Sequence, residues 1–380
     1  MRAATHTHRL VKGMEKGKRI VVKIGSALLM AKDDGGLCQD WLNAIAADLA
    51  TWQAQGREIF IVSSGAIAAG RAPLGLGLGE LRLEEYQAAA AAGQARLARA
   101  WQEALAPHGI PIAQVLLTLE DTEDRRRYLN ARTTLNTLLV LGAMAIINEN
   151  DTVTTEEIRF GDNDRLAARV AQMVSADTLV LLSDIDGLYS ADPKCHAEAR
   201  HLDEVRDITP EIEAMAGATT LTYGTGGMVT KLQAARIAMA AGCRMVIADG
   251  RGLHPLQALD AGAKCTWFLP SAGPKQARKQ WIEGGLRPCG NVTVDAGAAA
   301  ALKDGKSLLP AGVTRVEGSF ARGDTVIVQG SDGEEIARGL IAYSMVDAAR
   351  ILGHKSRDIA ALLGYRGRDE MIHRDDLVLR

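Results

Sequence analysis

The stretch Asn148-Glu-Asn-Asp-Thr-Val-Thr-Thr-Glu-Glu-Ile-Arg-Phe-Gly-Asp-Asn-Asp-Arg-Leu166 decides the fold. It begins where the apolar run Met144-Ala-Ile-Ile147 ends, which reads as a buried strand delivering polar groups at its C-terminal edge. It closes on Gly161-Asp-Asn-Asp164, where Asp162 or Asn163 can cap a helix running on through Leu166, Ala167, Val170 and Met173. One strand end and one helix start therefore gather carboxylates and carboxamides around a single cleft, where an open α/β sheet binds its ligands. Asn and Asp also collect in ordinary turns. Two such clusters, each beside a buried element, speak for a site.

The surrounding chain repeats the same grammar. Upstream, Arg19-Ile-Val-Val-Lys-Ile-Gly-Ser26 reads as a central strand feeding a loop, and Trp41 to Gln53 carries Leu42, Ile45, Ala46 and Leu49 at helical spacing. Glu58 to Val62 is a second strand, turned by Ser63-Ser-Gly-Ala66 into another helix. After the glycine-rich break Pro73 to Gly79, Glu84 to Leu105 is a long helix whose Ala88 to Ala92 invites close packing. Ile112 to Leu117 and Thr178 to Leu182 are further strands, Asp124 to Leu139 and Met228 to Ala241 further helices; the arginines 125 to 127 are either a phosphate clamp or, as a charge run at a helix start more often is, a solvated face. Cys243 to Ala248 is one more strand, and Thr266 to Leu269 a last one at an edge. Alternating strands and helices predict a three-layer α/β sandwich around a mainly parallel open sheet.

This reading gives an N-terminal extension (1–17), an α/β domain (18–269), a Lys-, Arg-, Gly- and Pro-rich linker or short amphipathic helix with Trp281 and Ile282 (270–289), and a small C-terminal domain (290–380). The last contains short β-like runs alternating with glycine turns and is predicted to be barrel-like. Of the 380 residues, 47% are apolar and 24% charged, which excludes a disordered chain. The net charge of −2 gives no general pull toward nucleic acid or anionic membrane. Five scattered cysteines form no C-x-x-C pair and the histidines show no paired metal spacing, so neither a disulfide framework nor a metal site is expected. No apolar run is long enough to span a bilayer and no signal peptide is evident, so a cytoplasmic protein is expected.

Three glycine corners, Gly25-Ser26, Ser64-Gly65-Ala66 and Gly224-Thr-Gly-Gly227, offer backbone N–H groups that can converge on an anion. Neither G-x-x-x-x-G-K-S/T nor a strand-linked G-x-G-x-x-G occurs, which excludes a P-loop enzyme and disfavours a dinucleotide site. Lys23 and Lys231 each stand beside such a corner; each is either a phosphate ligand or a solvated lysine. Asp164 either caps its own helix or bridges the two ammoniums.

Lys23-Ile-Gly-Ser26, Ser63-Ser-Gly-Ala-Ile-Ala-Ala-Gly70, Asn148-Glu-Asn-Asp151, Gly161-Asp-Asn-Asp164, Ser183-Asp-Ile-Asp-Gly-Leu-Tyr-Ser-Ala-Asp-Pro193 and Gly224-Thr-Gly-Gly-Met-Val-Thr-Lys231 together resemble the glutamate 5-kinase family of the amino-acid kinase superfamily. Residues 290–380 resemble the PUA domain that follows the kinase in bacterial members. The resemblance implies the amino-acid kinase fold and phosphorylation of the γ-carboxylate of L-glutamate by ATP, with Mg²⁺ carried mainly on the nucleotide phosphates, for proline synthesis. Lys23 and Lys231 would stabilise the phosphoryl group in flight, with Asp164 orienting them. Ser64, Asp151 and Asn163 would hold glutamate. Lys23, Ser183, Asp184 and the run Thr225, Gly226, Gly227, Met228, Val229, Thr230 and Lys231 would line the nucleotide. Ser26, Ser63 and Val229 depart from the usual Thr, Thr and Ser, and all three spare the charged groups. The resemblance further implies proline as feedback inhibitor, with the loop Thr152 to Phe160 as the effector-sensitive element, a homo-oligomer (dimer or tetramer), and hand-off to glutamyl phosphate reductase.

Two other readings remain open at this level. An RNA-binding role is suggested by the PUA-like tail, but residues 290–380 carry 12 Lys and Arg against 13 Asp and Glu, where a phosphate-tracking surface should be distinctly basic. The other keeps the kinase and changes the acceptor to N-acetylglutamate, aspartate or UMP. A carboxylate acceptor is itself a nucleophile and needs no general base, which fits the lack of histidine in every motif quoted.

Overall fold

Strands β1 (Arg19–Ile24), β2 (Glu58–Ser63), β4 (Met144–Glu149) and β5 (Thr178–Ser183) are apolar along nearly their whole length and buried on both faces. Such strands are stable only with helices above and below. The computed structural model, which describes residues 14, 17–31, 36–77, 79–154, 163–217, 227–274, 276–279 and 288–380, supplies those helices. Interleaved with these strands are α1 (Ser26–Leu29), α2 (Gln39–Ala54), α3 (Ala66–Arg71), α4 (Leu83–Leu105), β3 (Ile112–Leu117), α5 (Leu119–Glu123), α6 (Arg125–Val140) and α7 (Asn163–Val174). Beyond β5 come β6 (Leu188–Tyr189), β7 (His201–Leu202), β8 (Glu204–Val205), α8 (Pro210–Met215), α9 (Met228–Ala240), β9 (Arg244–Asp249), α10 (Pro255–Asp260) and β10 (Cys265–Phe268).

The eight-stranded sheet runs β3-β4-β2-β1-β5-β9-β10-β8. Its ladders are parallel except for the antiparallel β9–β10 pair. The expected edge strand at 266–269 is thus one place in from the edge. Two-residue β8 covers it, and a strand so short leaves no periodic signal to read.

Strand alternation sorts the core into two layers. Ile20, Val22 and Ile24 face Trp41 and Trp52 of α2 and Trp101 of α4. Val21, Leu179 and Leu181 face Leu166 and Val170 of α7 and Leu232 and Ala235 of α9. Lys23 shares the parity of Val21, so β1 sends this ammonium toward α7 and α9.

Helices α3 and α4 pack backbone against backbone. A Cβ on Gly70 would overlap the Ala89 carbonyl and one on Gly93 the Ala66 carbonyl, which explains the run of small residues in α4. At α6, Asp124 caps the helix by accepting from Arg127 N at 2.8 Å, and the exposed Arg127 pairs with Asp121, as a solvated face should.

The chain divides into two compact units, residues 1–274 and 275–380. The second contains β11 (Gly290–Val294), β12 (Val313–Gly318), β13 (Thr325–Gln329), β14 (Glu335–Leu340) and β15 (Leu377–Leu379), ordered β12-β11-β13-β14-β15. Among the described residues no ladder joins β12 to β15. Helices Ala296–Lys303 and Met345–Ile351, which the strand-based reading passed over, contribute Leu302, Ala348 and Ile351 to the core of this sheet. Their caps were legible: Asp295 accepts from Ala298 N and Ser344 from Asp347 N. Trp281 and Ile282, with the rest of linker residues 280–287, and most of the N-terminal extension lie outside the described residues.

Candidate active site

Three buried charges meet at the C-terminal end of the sheet. The Lys23 ammonium lies 2.5 Å from Asp164 Oδ1, and Lys231 Nζ donates to Asp164 Oδ2 at 3.1 Å. The Asp164 side chain is fully buried, and those of Lys23 and Lys231 are 8% and 5% exposed. Asp164 is the second residue of α7, where unpaired N–H groups favour an anion. Lys231 sits in the first turn of α9, where the same field opposes a cation, so its carboxylate partner matters more. Burial alone would raise the Asp164 carboxyl; the charges and hydrogen bonds of Lys23 and Lys231 outweigh it and hold the group below its ordinary value. The bridge between the two ammoniums is therefore present, and Asp164 serves more than its own helix.

Beside the charges lies a network of amides. Asn163 Nδ2 donates to Ser64 Oγ at 2.9 Å and to Asn148 Oδ1 at 2.8 Å, joining the start of α7 to the ends of β2 and β4. Asn148 Oδ1 also accepts from Glu149 N at 2.9 Å. The chain then turns: Asn150 N donates to Leu117 O, Val153 N donates to Asn150 O, and Asp151 and Thr154 point inward while Thr152 and Val153 are exposed. Gly65, at φ 97°, makes the left-handed corner that starts α3, a conformation only glycine takes without strain.

These groups border one cavity of about 530 Å³. Lys23, Ser64, Asp151, Asn163 and Lys231 line it, with Ser183 and Asp184 on the β5 side. Ser183 Oγ donates to Asp184 Oδ1 at 3.2 Å. The glycine corners at 25–26 and 65–66 also reach the lining. Thr225 and Gly226 lie outside the described residues. Gly227, Met228, Val229 and Thr230 open α9 without lining the cavity, although Thr230 Oγ1 donates to Gly227 O at 2.8 Å and lies 3.4 Å from Asp164 Oδ2.

Sequence reasoning missed Arg71 and Tyr86, which line the cavity from α3 and α4. Neither belongs to a polar cluster; only the α3–α4 glycine contact brings them to the strand ends. Arg71 Nη1 donates to the carbonyls of Gly77 and Gly79, so the glycine-rich break is tied to the cavity wall.

The family model described as "Amino acid kinase family" matches residues 18–249, and that of the PUA domain matches residues 290–363. Glutamate 5-kinase of Paramagnetospirillum magneticum is 61% identical over 362 residues, covering 95% of this chain and 98% of its own. Glutamate 5-kinase 1 of Rhizobium meliloti is 59% identical, covering 97% of this chain and 93% of its own. Among solved structures, UMP kinase from Ureaplasma parvum covers 67% of the chain and 99% of its own length at 13% identity and a TM-score of 0.47. With two lysines, an aspartate and an amide network closing one cavity, and with relatives at such identity end to end, this chain belongs to the amino acid kinase family, within its glutamate 5-kinase branch, and contains a PUA domain behind the kinase domain.

Proposed function

We propose that the protein transfers the γ-phosphoryl group of ATP to the γ-carboxylate of L-glutamate, giving γ-glutamyl phosphate and ADP, the first step of proline biosynthesis. The observation that carries this reading is the Lys23–Asp164–Lys231 cluster, two ammoniums against one carboxylate at the wall of a cavity. Two ammoniums held by one carboxylate suit a migrating phosphoryl group, whose transition state spreads negative charge over its oxygens.

The roles follow from position. Lys23 and Lys231 meet the phosphoryl group, and Asp164 holds both ammoniums where an anion can accept from them. Asn163 and Ser64 hold the acceptor carboxylate in line, and the Asp151 carboxylate attracts the α-ammonium of glutamate. Among the described residues no histidine lines the cavity, and an ionised acceptor needs no proton removed. Ser183, Asp184, the segment Thr225 to Lys231 and the Gly25 corner form the nucleotide side. Two ammoniums and helix-start N–H groups are a donor set matched to a polyphosphate. Mg²⁺ would be held on those phosphates beside the Asp184 carboxylate and would supply positive charge against the phosphate oxygens.

Feedback inhibition by proline, assembly as a dimer or tetramer, hand-off of the labile acyl phosphate to glutamyl phosphate reductase, and residence in the cytoplasm belong to the same reading. Residues 155–160 of the loop assigned to proline sensing lie outside the described residues. Among the described residues no helix is long and apolar enough to cross a membrane. The near-neutral balance of the C-terminal domain supports keeping nucleic acid out of the primary function.

The test supplies ATP, Mg²⁺ and hydroxylamine with glutamate, aspartate or N-acetylglutamate, and scores hydroxamate. Glutamate should give the product far faster than either alternative. Preferential hydroxamate from another acceptor would refute the substrate assignment.

A further inference from the structure

Helix α4 presents Gln87, Gln94 and Trp101 at a spacing of seven residues, which keeps them along one stripe of the helix. Each side chain donates to a different piece of the cavity's frame. Gln87 Nε2 donates to Thr154 O at 3.0 Å, Gln94 Nε2 approaches Glu149 O at 3.5 Å, and Trp101 Nε1 donates to Ser63 Oγ at 3.2 Å. The upper two contacts hold the chain on either side of Asp151, while the lowest holds the residue before Ser64.

The Gln87 contact has the clearest consequence. The turn carrying Asp151 is fixed at its start by the Asn150 N to Leu117 O bond to β3. Its described far end, Thr154, is only 3% exposed and accepts from Gln87. Gln87 is itself half-buried, and it follows the cavity-lining Tyr86 in α4.

We propose that Gln87 is a positioning residue for the acceptor: by holding the Thr154 carbonyl it fixes the Asp151 carboxylate at the distance that selects a substrate bearing an α-ammonium beside its carboxylates. This rests on the glutamate assignment above. Among the described residues the Gln87 hydrogen bond runs to Thr154 and not to the charge cluster or the Ser183–Asp184 wall, so its effect falls on acceptor binding rather than on phosphoryl transfer.

The test compares the full-length wild type with Gln87→Ala and Gln87→Glu in hydroxamate kinetics, each with a thermal melt. The Glu variant keeps shape and loses the N–H donor. Both should raise the KM for glutamate about five- to tenfold, the worth of one hydrogen bond. Both should leave kcat within about twofold, the KM for ATP unchanged and the melting point near wild type. Unchanged KM in both variants would overturn the proposal. So would a parallel loss of kcat and melting temperature, which a merely structural glutamine gives. A wild type inactive on glutamate would instead refute the substrate assignment, so the two failures are distinguishable.

Discussion

Each unit of the protein buries an ion cluster, and the two differ in how many cations share a carboxylate and in whether a cavity lies beside them. In the kinase unit, Lys23 and Lys231 share Asp164 at the wall of a cavity. In the second unit, Arg278 Nη2 donates to Asp376 Oδ1 at 2.6 Å and Arg278 Nε to Asp375 O at 3.2 Å, with side chains 9% and 4% exposed. The second cluster is one cation to one anion and ties residue 278 to the end of the chain. The first holds two ammoniums on one carboxylate. Desolvating charge is costly, and a buried pair is weak evidence of net stabilisation. The Arg278–Asp376 pair therefore reads as a clamp, and two lysines sharing one carboxylate at a cavity wall read as an anion site.

That contrast yields graded tests. The largest effect is expected from Lys231→Met, which keeps the bulk and removes the charge: kcat should fall about 10²- to 10³-fold. Wild-type turnover in that variant would remove Lys231 from phosphoryl transfer and erase the difference between the clusters. Arg278→Ala should do the opposite, costing the second unit about 3 kcal/mol in denaturant unfolding because Asp376 stays buried without its guanidinium, while glutamate kinetics stay at wild-type values. A kcat that drops with Arg278→Ala would contradict its reading as a clamp.

A smaller effect separates the units by packing. Gly93→Ala must push α4 from α3 and should cost about 2 kcal/mol and raise the KM for glutamate, since α3 lines the cavity. Gly339→Ala, whose new Cβ would press on Ile372 Cγ2 at 2.7 Å, should cost stability alone. Equal kinetic damage from both would show that packing does not distinguish the units.

The smallest effect is in acid. Asp164 has a folded pKa below its ordinary 3.8, so the stability it contributes is complete above pH 3.8 and fades as pH falls through the folded value. Unfolding titrations of the kinase unit should show a steepening loss below pH 3.8, and a flat profile there would mean Asp164 is already neutral in the fold.

Much of this is legible in the sequence. The buried strands announced themselves by continuous apolar runs, and β3 at 112–117 falls on the residues predicted. The strand-end motifs carried Lys23, Ser64, Asp151, Asn163, Asp164, Ser183, Asp184 and Lys231, all of which the fold draws to one cavity except Asp164, buried just behind its lysines. What stayed hidden depends on long-range packing. Arg71 and Tyr86 belong to helices whose contact is set by two glycines, and no local pattern reports which helix face turns toward a strand end. The stripe at 87, 94 and 101 was readable as spacing, yet only the partners Thr154, Glu149 and Ser63 give it meaning.

The most direct measurement is a crystal structure of the protein with ADP, Mg²⁺, glutamate and aluminium fluoride, the last a mimic of the phosphoryl group in transit. The account predicts the fluoroaluminate between the Lys23 and Lys231 ammoniums, within about 3 Å of each, with Asp164 still bridging them. A fluoroaluminate bound away from either ammonium, or the two lysines turned apart around it, would contradict it.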